Sequence, residues 1–244
     1  PVAAAESGTR LSRALPVLLV ALLAALVAPG SGWGGERPVI AIIIDDLGNQ
    51  RGVGRRVIQL PGPVACAFMP HTPYAAELAE RAHRAGKEVM LHLPMQPNDM
   101  RRVAGVGEIS LDNQRADLRR ILAADLATVP HVVGINNHMG SLITRHPGHM
   151  AWLMEELARR GNLFFVDSYT SADSVALAAA LDHGVPAVRR HVFLDADRDP
   201  AEVARQFARL QRRARQQGFA VGIGHPYPVT VEFLRAELPR LSAA

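Results

Sequence analysis

The sequence predicts an α/β protein built on a parallel sheet, and two observations support this class. Short apolar runs rich in β-branched residues, beginning with Val39–Ile44, alternate about seven times with amphipathic segments of helical periodicity. Several helical segments begin near proline and end at glycine, as at Pro147 and Gly161, where helix termini favour these residues. The alternation indicates parallel strands with crossover helices, and periodicity leaves a closed barrel and an open, doubly wound sheet equally possible.

The predicted elements follow one another without a sequence repeat or a second domain. The predicted strands are Val39–Ile44, Val64–Met69, Glu88–Leu93, Val132–Asn136, Leu163–Val166, Ala187–Val192 and Phe219–Ile223. The predicted helices are Gly52–Leu60, Pro73–Ala85, Asn113–Ala127, Pro147–Arg160, Ser171–Asp182, Pro200–Gln217 and Val229–Leu238. Cys66, the only cysteine, lies in the second predicted strand, where we expect a buried and inert thiol. The irregular segment Pro94–Leu111 is long enough to form a lid or a substrate loop.

The N-terminal segment has the layout of an export signal. Arg10 and Arg13 precede an uninterrupted apolar stretch from Ala14 to Pro29, and small residues follow it. The stretch is about 16 residues long, short of the roughly 20 that span a membrane comfortably, so cleavage and retention as an anchor both remain open. We predict that residues 1–37 form a signal peptide or membrane anchor with a linker. Residues 38–244 are then one exported domain, periplasmic or anchored to the membrane facing outward.

The charge distribution argues against a nucleic-acid partner. The formal net charge is +4 over 244 residues, and the basic residues are almost all arginine. The densest run, Arg209, Arg212, Arg213 and Arg215, lies on a predicted amphipathic helix. No aromatic residue interleaves with these arginines, so base stacking has no platform. We interpret the run as a solvated helix face.

Residues with metal-binding or acid–base chemistry follow five of the predicted strands. They are Asp45-Asp46, His92, Asn136-Asn137-His138, Asp167-Ser168 and His225. Because the carboxyl ends of parallel strands meet at one rim, we expect these side chains to converge there. Histidine nitrogens with one carboxylate are a common ligand set for catalytic Zn²⁺ that leaves a position open for water. Neighbouring strand residues point in opposite directions. Asp45 and Asp46 can therefore share the site only if the chain bends after the strand.

Each of these residues also has an ordinary structural interpretation. The two aspartates could form a turn or a helix cap, His92 could be a satisfied structural histidine, and His225 could simply end a strand. The remaining histidines are assigned by default to surface or loop roles, with His71, which follows a strand end, as the first exception to consider. The combination of residues, rather than any single member, predicts the metal site.

Six stretches of the chain carry a family resemblance: residues 42–48, 88–95, 134–141, 165–168, 192–195 and 223–226. In sequence and in order they resemble the divergent polysaccharide deacetylase family, distant relatives of the NodB-type carbohydrate esterases. The resemblance covers roughly residues 38–240. It implies a distorted (β/α) barrel of about seven strands, a divalent metal, most simply Zn²⁺, and a carbohydrate polymer as substrate.

The resemblance also implies roles for individual residues. The first motif of the esterases holds a base and then a metal ligand, which map onto Asp45 and Asp46. The second motif offers two metal-binding histidines four residues apart; His92 matches the first, whereas Gln96 stands at the second. The third motif normally carries Arg and Pro, and here it contains His138, which we expect to replace the ligand missing at position 96.

The last motif places a general-acid histidine at a strand end, which matches His225. Asp167 matches a carboxylate that orients a catalytic partner. We assign substrate binding to Asn137, Ser141, Arg190 and Asp195. For Arg190 and Asp195, ordinary structural roles remain equally open.

The leading functional prediction is hydrolysis of an N- or O-acetyl group from a cell-envelope polysaccharide by metal-activated water. A second interpretation, motivated by Gln96, is an envelope binding or scaffold protein that keeps the barrel without catalysis. A third is another metal hydrolase, such as a phosphoesterase or an amidase. The sequence contains no glycine-rich phosphate cradle, which argues against the phosphoesterase. The oligomeric state stays open, and no nucleotide or organic cofactor is indicated.

Overall fold

The apolar runs of the sequence form eight short parallel strands, which we describe from a computed structural model covering residues 37–243. The strands are β1 (Val39–Leu47), β2 (Val64–Phe68), β3 (Val89–Met95), β4 (Val132–Met139), β5 (Phe164–Asp167), β6 (Ala187–Arg189), β7 (Val192–Phe193) and β8 (Phe219–Gly224). The helices are α1 (Arg51–Ile58), α2 (Ala75–Arg84), α3 (Arg115–Thr128), α4 (Pro147–Arg160), α5 (Ala176–Asp182), α6 (Pro200–Gln217) and α7 (Pro228–Ala243). Residues 1–36, on which the prediction of a signal or anchor falls, lie outside the described residues.

The strands run in the order β6-β5-β4-β3-β2-β1-β8-β7, so the two strands at the ends of the sheet are consecutive in sequence. The backbone N–H of Arg190 donates to Asp167 O on β5 at 2.9 Å, and that of His191 donates to Val221 O on β8 at 2.8 Å. The short segment 187–193 therefore joins both ends of the sheet and curls it into a distorted barrel, which confirms the predicted fold class. The predicted strand Ala187–Val192 is split into β6 and β7, because its hydrogen-bonding partner changes from β5 to β8 at residue 190.

Both faces of the strands are buried, because alternate residues point into the barrel and out toward the helices. The barrel interior contains a small apolar cluster whose fully buried members are Ala41, Ile43, Ala65, Ala67, Met90, Phe164, Val166, Val221 and Ile223. A larger cluster on the outside packs the intervening strand residues, among them Ile42, Ile44 and Cys66, against the helices. Burial raises the pKa of the Cys66 thiol to about 12, as expected for an inert cysteine.

Several element boundaries differ from the predicted ones. β3 and β4 extend to Met95 and Met139, because their parallel pairing continues to the rim of the barrel. α5 begins at Ala176, five residues after the predicted start at Ser171, because the Ser174 hydroxyl donates to Asp167 Oδ2 and keeps the preceding segment in a loop. Over the described part of the chain, no helix is long and apolar enough to cross a membrane.

Candidate active site

The inward-facing rows of the barrel end in polar side chains at the carboxyl ends of the strands. Ala41 and Ile43 of β1 are followed on the same face by Asp45, and Met90 of β3 is followed by His92. In the same way, Val221 and Ile223 of β8 lead to His225, one residue beyond the strand. The apolar interior of the barrel is therefore closed at one end by a polar layer, which is the candidate site.

An irregularity in β1 brings two adjacent carboxylates to this layer. Ile44 pairs with Cys66 and Leu47 pairs with Phe68, so β1 has one residue more than β2 at this point, as in a β-bulge. Asp46 lies in the bulge with φ of 57°, a left-handed conformation that is uncommon for residues other than glycine. As a result, Asp45 Oδ2 and Asp46 Oδ1 lie 3.6 and 3.4 Å from the same atom, His92 Nε2.

Three side chains at this point could hold a metal ion: Asp46, His92 and His138. His138 Nδ1 lies 3.0 Å from His92 Nε2 and 3.1 Å from Asp46 Oδ1. Ligands about 2.0–2.1 Å from a tetrahedral ion are about 3.3 Å apart, close to these separations. Asp46 Oδ1 is buried and has no well-directed hydrogen-bond partner among the described residues. The donor set and the orphaned oxygen therefore fit a divalent cation such as Zn²⁺.

Asn136 connects His92 of this trio to the neighbouring carboxylate of Asp45. His92 pairs with Asn136 across β3 and β4, and His138 follows two residues later on the same face. His92 Nδ1 donates to Asn136 Oδ1 at 2.9 Å, and Asn136 Nδ2 donates to Asp45 Oδ1 at 2.8 Å. A hydrogen bond at Nδ1 leaves Nε2 of His92 free to bind a cation, which is how metal-binding imidazoles are commonly oriented.

The carboxylates and imidazoles shift each other's proton affinities. Burial raises the pKa of Asp45, and the charge of His92 opposes this only in part. Burial would also raise the pKa of Asp46, but the imidazoles of His138 and His92 hold it well below its usual range. Burial lowers the pKa of His92, yet the charges of Asp45 and Asp46 outweigh it and raise this pKa to about 9. Asp46 thus stays ionised, while Asp45 has the higher proton affinity of a general base.

His225 is oriented by a carboxylate of the same rim. Its Nδ1 donates to Asp195 Oδ1 at 2.8 Å, and its backbone N–H donates to Asp195 Oδ2 at 2.6 Å. The hydroxyl of Thr230 also donates to Asp195 Oδ2, at 2.7 Å. Burial lowers the pKa of His225, but the hydrogen bond and charge of Asp195 outweigh it and raise the pKa above its ordinary value. The Asp195 carboxylate therefore stabilises the protonated form of His225.

Comparison with known proteins agrees with this architecture. The family model described as divergent polysaccharide deacetylase matches residues 42–244. The chain belongs to the divergent polysaccharide deacetylase family. It is 38% identical over 199 residues to the uncharacterized protein YibQ of Escherichia coli K12, covering 80% of this chain and 61% of YibQ. It is 36% identical over 202 residues to an uncharacterized protein of Haemophilus influenzae, covering 83% of this chain and 71% of that protein.

Solved structures share the fold of this deacetylase-family chain at low sequence identity. An uncharacterized protein from Agrobacterium tumefaciens C58 superposes with a TM-score of 0.81 at 22% identity, covering 87% of both chains. The lactam utilization protein of Thermus thermophilus has a TM-score of 0.57 at 14% identity, covering 84% of this chain and 97% of that one. The catalytic domain of a peptidoglycan N-acetylglucosamine deacetylase from Eubacterium rectale has a TM-score of 0.50 at 12% identity, covering 88% and 89%.

Gln96, which stands where the second motif of the esterases would offer its second histidine, joins two loops in this structure. Its side-chain oxygen accepts from Leu111 N at 2.9 Å, and its backbone N–H donates to Ile109 O at 2.9 Å. Its carbonyl accepts from Leu142 N and Ile143 N, at 3.3 and 3.4 Å. Gln96 therefore ties the two ends of the segment after β3 together and attaches them to the loop after β4.

Two predicted site residues point away from the barrel interior. Asp167 follows Phe165 on the outer face of β5, where its Oδ1 accepts from Tyr169 N and its Oδ2 from the Ser174 hydroxyl. Asn137 lies between the inward residues of β4, and its amide bonds to Met139 O and Ser168 N, both at 2.8 Å. The carboxylate that contacts His225 is Asp195 and not Asp167.

The other predicted substrate-binding residues lie at the rim. Ser141 accepts from the backbone N–H of Asn98 at 2.9 Å, which links the loops after β3 and β4. Arg190 lies one residue beyond β6 and two residues after the inward-facing Val188. Its guanidinium donates to Ser168 O at 2.7 Å. The assignment of Ser141 and Arg190 to substrate binding stays a prediction.

The connecting roles of Asn136 and Thr230 were not predicted. Asn136 was visible as part of the motif after β4, and the period of two along a strand would have placed it on the same face as His138. Thr230 carries no such signal, because α7 brings it to Asp195 from 35 positions away. His71, singled out as an exception, contacts Asp125 of α3 at 2.8 Å.

Proposed function

We propose that this protein removes acetyl groups from an N- or O-acetylated polysaccharide of the cell envelope by metal-dependent hydrolysis. The observation that carries the proposal is the convergence of the Asp46–His92–His138 trio with Asp45 and His225 at one end of the barrel. Membership of the divergent polysaccharide deacetylase family supports the substrate class. The export-like N-terminal sequence supports a location outside the cytoplasm, periplasmic or membrane-attached.

Each residue of the site has a defined part in this proposal. Asp46, His92 and His138 would hold the cation, most simply Zn²⁺, which would polarise the acetyl carbonyl and lower the pKa of water. Asp45, with its raised pKa, accepts the proton of the attacking water as its oxygen bonds to the carbonyl carbon. His225 donates its proton to the departing sugar nitrogen or oxygen as the bond to the acetyl carbon breaks.

Metal content of the purified full chain tests the ligand set. We expect about one Zn²⁺ per chain by elemental analysis after reconstitution, and loss of at least about 90% of it in His138→Ala. His131→Ala is the matched control, because His131 precedes β4 and pairs with Glu80 at the surface. The control should retain its metal.

Acetate release by the same samples tests the proposed activity. The loaded protein should release acetate from acetylated glycan oligosaccharides, and His138→Ala should not. If the wild-type chain binds no divalent metal after reconstitution, the hydrolase proposal is wrong and a binding or scaffold function takes its place. If His138→Ala binds as much metal as the wild type, the ligand set is wrong.

A further inference from the structure

His225 belongs to a row of stacked side chains that the acid role alone does not explain. Its imidazole lies 5.9 Å from the ring of Phe193 and 5.5 Å from that of Tyr227, at interplanar angles of 28° and 33°. The guanidinium of Arg190 lies over Phe193, 3.5 Å from the ring centroid, and that of Arg198 lies over Tyr227 at 3.8 Å. Two arginines held on aromatic faces therefore accompany the histidine that lies beside the scissile bond in our proposal.

The charges of these two arginines have no carboxylate partner within ion-pair distance among residues 37–241. Arg190 donates instead to two neutral carbonyls, Ser168 O at 2.7 Å and Tyr169 O at 3.0 Å. Arg198 is exposed, and its stacking on Tyr227 holds the guanidinium in place while leaving its N–H groups accessible. Fixed guanidinium groups with unsatisfied donors match the geometry of carboxylate and phosphate oxygens.

The acidic residues that flank Arg198 in sequence accept hydrogen bonds from backbone N–H groups, and neither forms an ion pair with Arg198. Asp199 caps α6, where its carboxylate accepts from Ala201 N and Glu202 N at 2.8 and 3.2 Å. Asp197 accepts from the backbone N–H of Asp199 at 3.0 Å. The N–H groups of the Arg198 guanidinium therefore remain available to a ligand.

We propose that Arg190 and Arg198, held on the two rings that flank His225, form a subsite for anionic groups of the glycan, carboxylates or phosphates carried near the acetylated sugar. The inference rests on the proposed function and narrows its substrate class from acetylated polysaccharides in general to anionic ones. The rings hold the guanidinium groups in place, and the guanidinium groups supply charge-assisted hydrogen bonds to the anion.

Arg198 is the residue that tests this subsite without disturbing the fold. Arg190 also anchors the loop after β5, and its charge lies near Asp167 and Asp45. A variant at this position would therefore change the loop and the electrostatics of the site together. Arg198, by contrast, makes a stacking contact at the surface. The matched control is Arg212→Gln, which removes the same charge from an exposed position on α6.

The experiment compares the binding of three glycans to the full chain, its Arg198→Gln variant and its Arg212→Gln variant at about 150 mM NaCl. The probes are hyaluronan oligosaccharides, which carry a carboxylate on alternate sugars, the same oligosaccharides with the carboxyl groups reduced, and a glycerol-phosphate polymer bearing N-acetylhexosamine. We expect about tenfold tighter binding of at least one anionic probe than of the reduced one, and loss of most of this preference in Arg198→Gln. Arg212→Gln should keep it, and the preferred anion distinguishes carboxylate from phosphate.

The subsite would be overturned if Arg198→Gln kept the preference for the anionic probe, or if Arg212→Gln lost as much of it. Equal binding of charged and neutral probes by the wild type would also overturn it. Metal content and acetate release from neutral chitin oligosaccharides are measured in parallel. They test the proposed hydrolase independently of the subsite. A metal-loaded enzyme that is indifferent to charge keeps the hydrolase and rejects the subsite. A chain without metal that prefers the anionic probe through Arg198 keeps the subsite and rejects the hydrolase.

Discussion

Asp195 illustrates how one buried carboxylate sets the chemistry of a neighbouring histidine. Both of its oxygens are used, one by the imidazole of His225 and the other by the backbone of His225 and the hydroxyl of Thr230. The carboxylate orients the ring through Nδ1, which leaves Nε2 for the substrate, and it stabilises the protonated form. Asp195 is therefore a positioning residue for the proposed acid.

Asp195→Asn should move the alkaline limit of acetate release to lower pH. In the proposed mechanism hydrolysis requires protonated His225, so acetate release should be lost as pH rises through the raised pKa of this residue. Without the negative charge of Asp195 this pKa falls, so the loss begins at a lower pH. The pH profile of kcat measures the shift, and Asp197→Asn, which changes an exposed carboxylate, is the control. An alkaline limit that stays at the wild-type pH would show that His225 is not the titrating acid.

At the scale of elements, β4 shows how a glycine makes room for a site. Gly134 lies two residues before Asn136, and a Cβ at this position would approach the ring of Phe164 within 2.3 Å. Phe164 belongs to the apolar cluster inside the barrel. The missing side chain thus lets the ring pack into the interior directly beneath the polar layer.

Gly134→Ala should lower the free energy of unfolding by about 1–3 kcal/mol, because the added methyl group overpacks the barrel interior. Gly52→Ala is the matched control. Gly52 lies in α1, where the nearest atom to an added Cβ is Arg56 Nη1 at 4.0 Å, so this change should be neutral or stabilise by up to about 1 kcal/mol. Denaturant unfolding measures the free energy of unfolding of both variants. Equal values for Gly134→Ala and Gly52→Ala would mean that the interior tolerates the extra methyl group.

At the scale of the whole molecule, the strands that form the barrel also carry the residues of the rim site. β1, β3 and β4 supply the trio and Asp45, while the segment that closes the barrel carries Arg190 and leads into Asp195. A cation held by residues from three strands would bind the folded chain and not the unfolded one. Such a ligand stabilises the whole fold.

Zn²⁺ at about 100 times its dissociation constant should raise Tm by roughly 5–10 °C, from about 2.7 kcal/mol of linkage in a domain of this size. At one fixed Zn²⁺ concentration, the increment in Tm should be larger at pH 8 than at pH 6.5. Burial lowers the pKa of His92 but the nearby carboxylates raise it to about 9, so a bound cation must displace a proton, and this is easier as pH rises. Thermal unfolding with and without Zn²⁺ measures the increment.

His92→Ala should abolish this increment, and His131→Ala should retain it. An increment of the same size at both pH values would contradict proton displacement from His92. An increment that survives in His92→Ala would place the stabilising ion elsewhere on the chain.

The sequence by itself determined the class of the fold, the order of its elements and the group of side chains that meets at one rim. It could do so because strand ends in a parallel βα protein share one edge, so Asp45, Asp46, His92, His138 and His225 had to lie near one another. The apolar runs also located β1 to β5 and β8 to within a few residues, since these strands are buried on both faces.

Tertiary structure alone decided which carboxylate acts on which partner. Asp167 and Asp195 both follow strands, but Asp167 lies on the outer face of β5, whereas Asp195 meets His225 across 30 positions. The bulge that turns Asp46 toward Asp45, and the partner change at Arg190 that closes the barrel, are likewise invisible to local patterning. Each depends on backbone hydrogen bonds between segments far apart in the chain, which one strand's sequence does not specify.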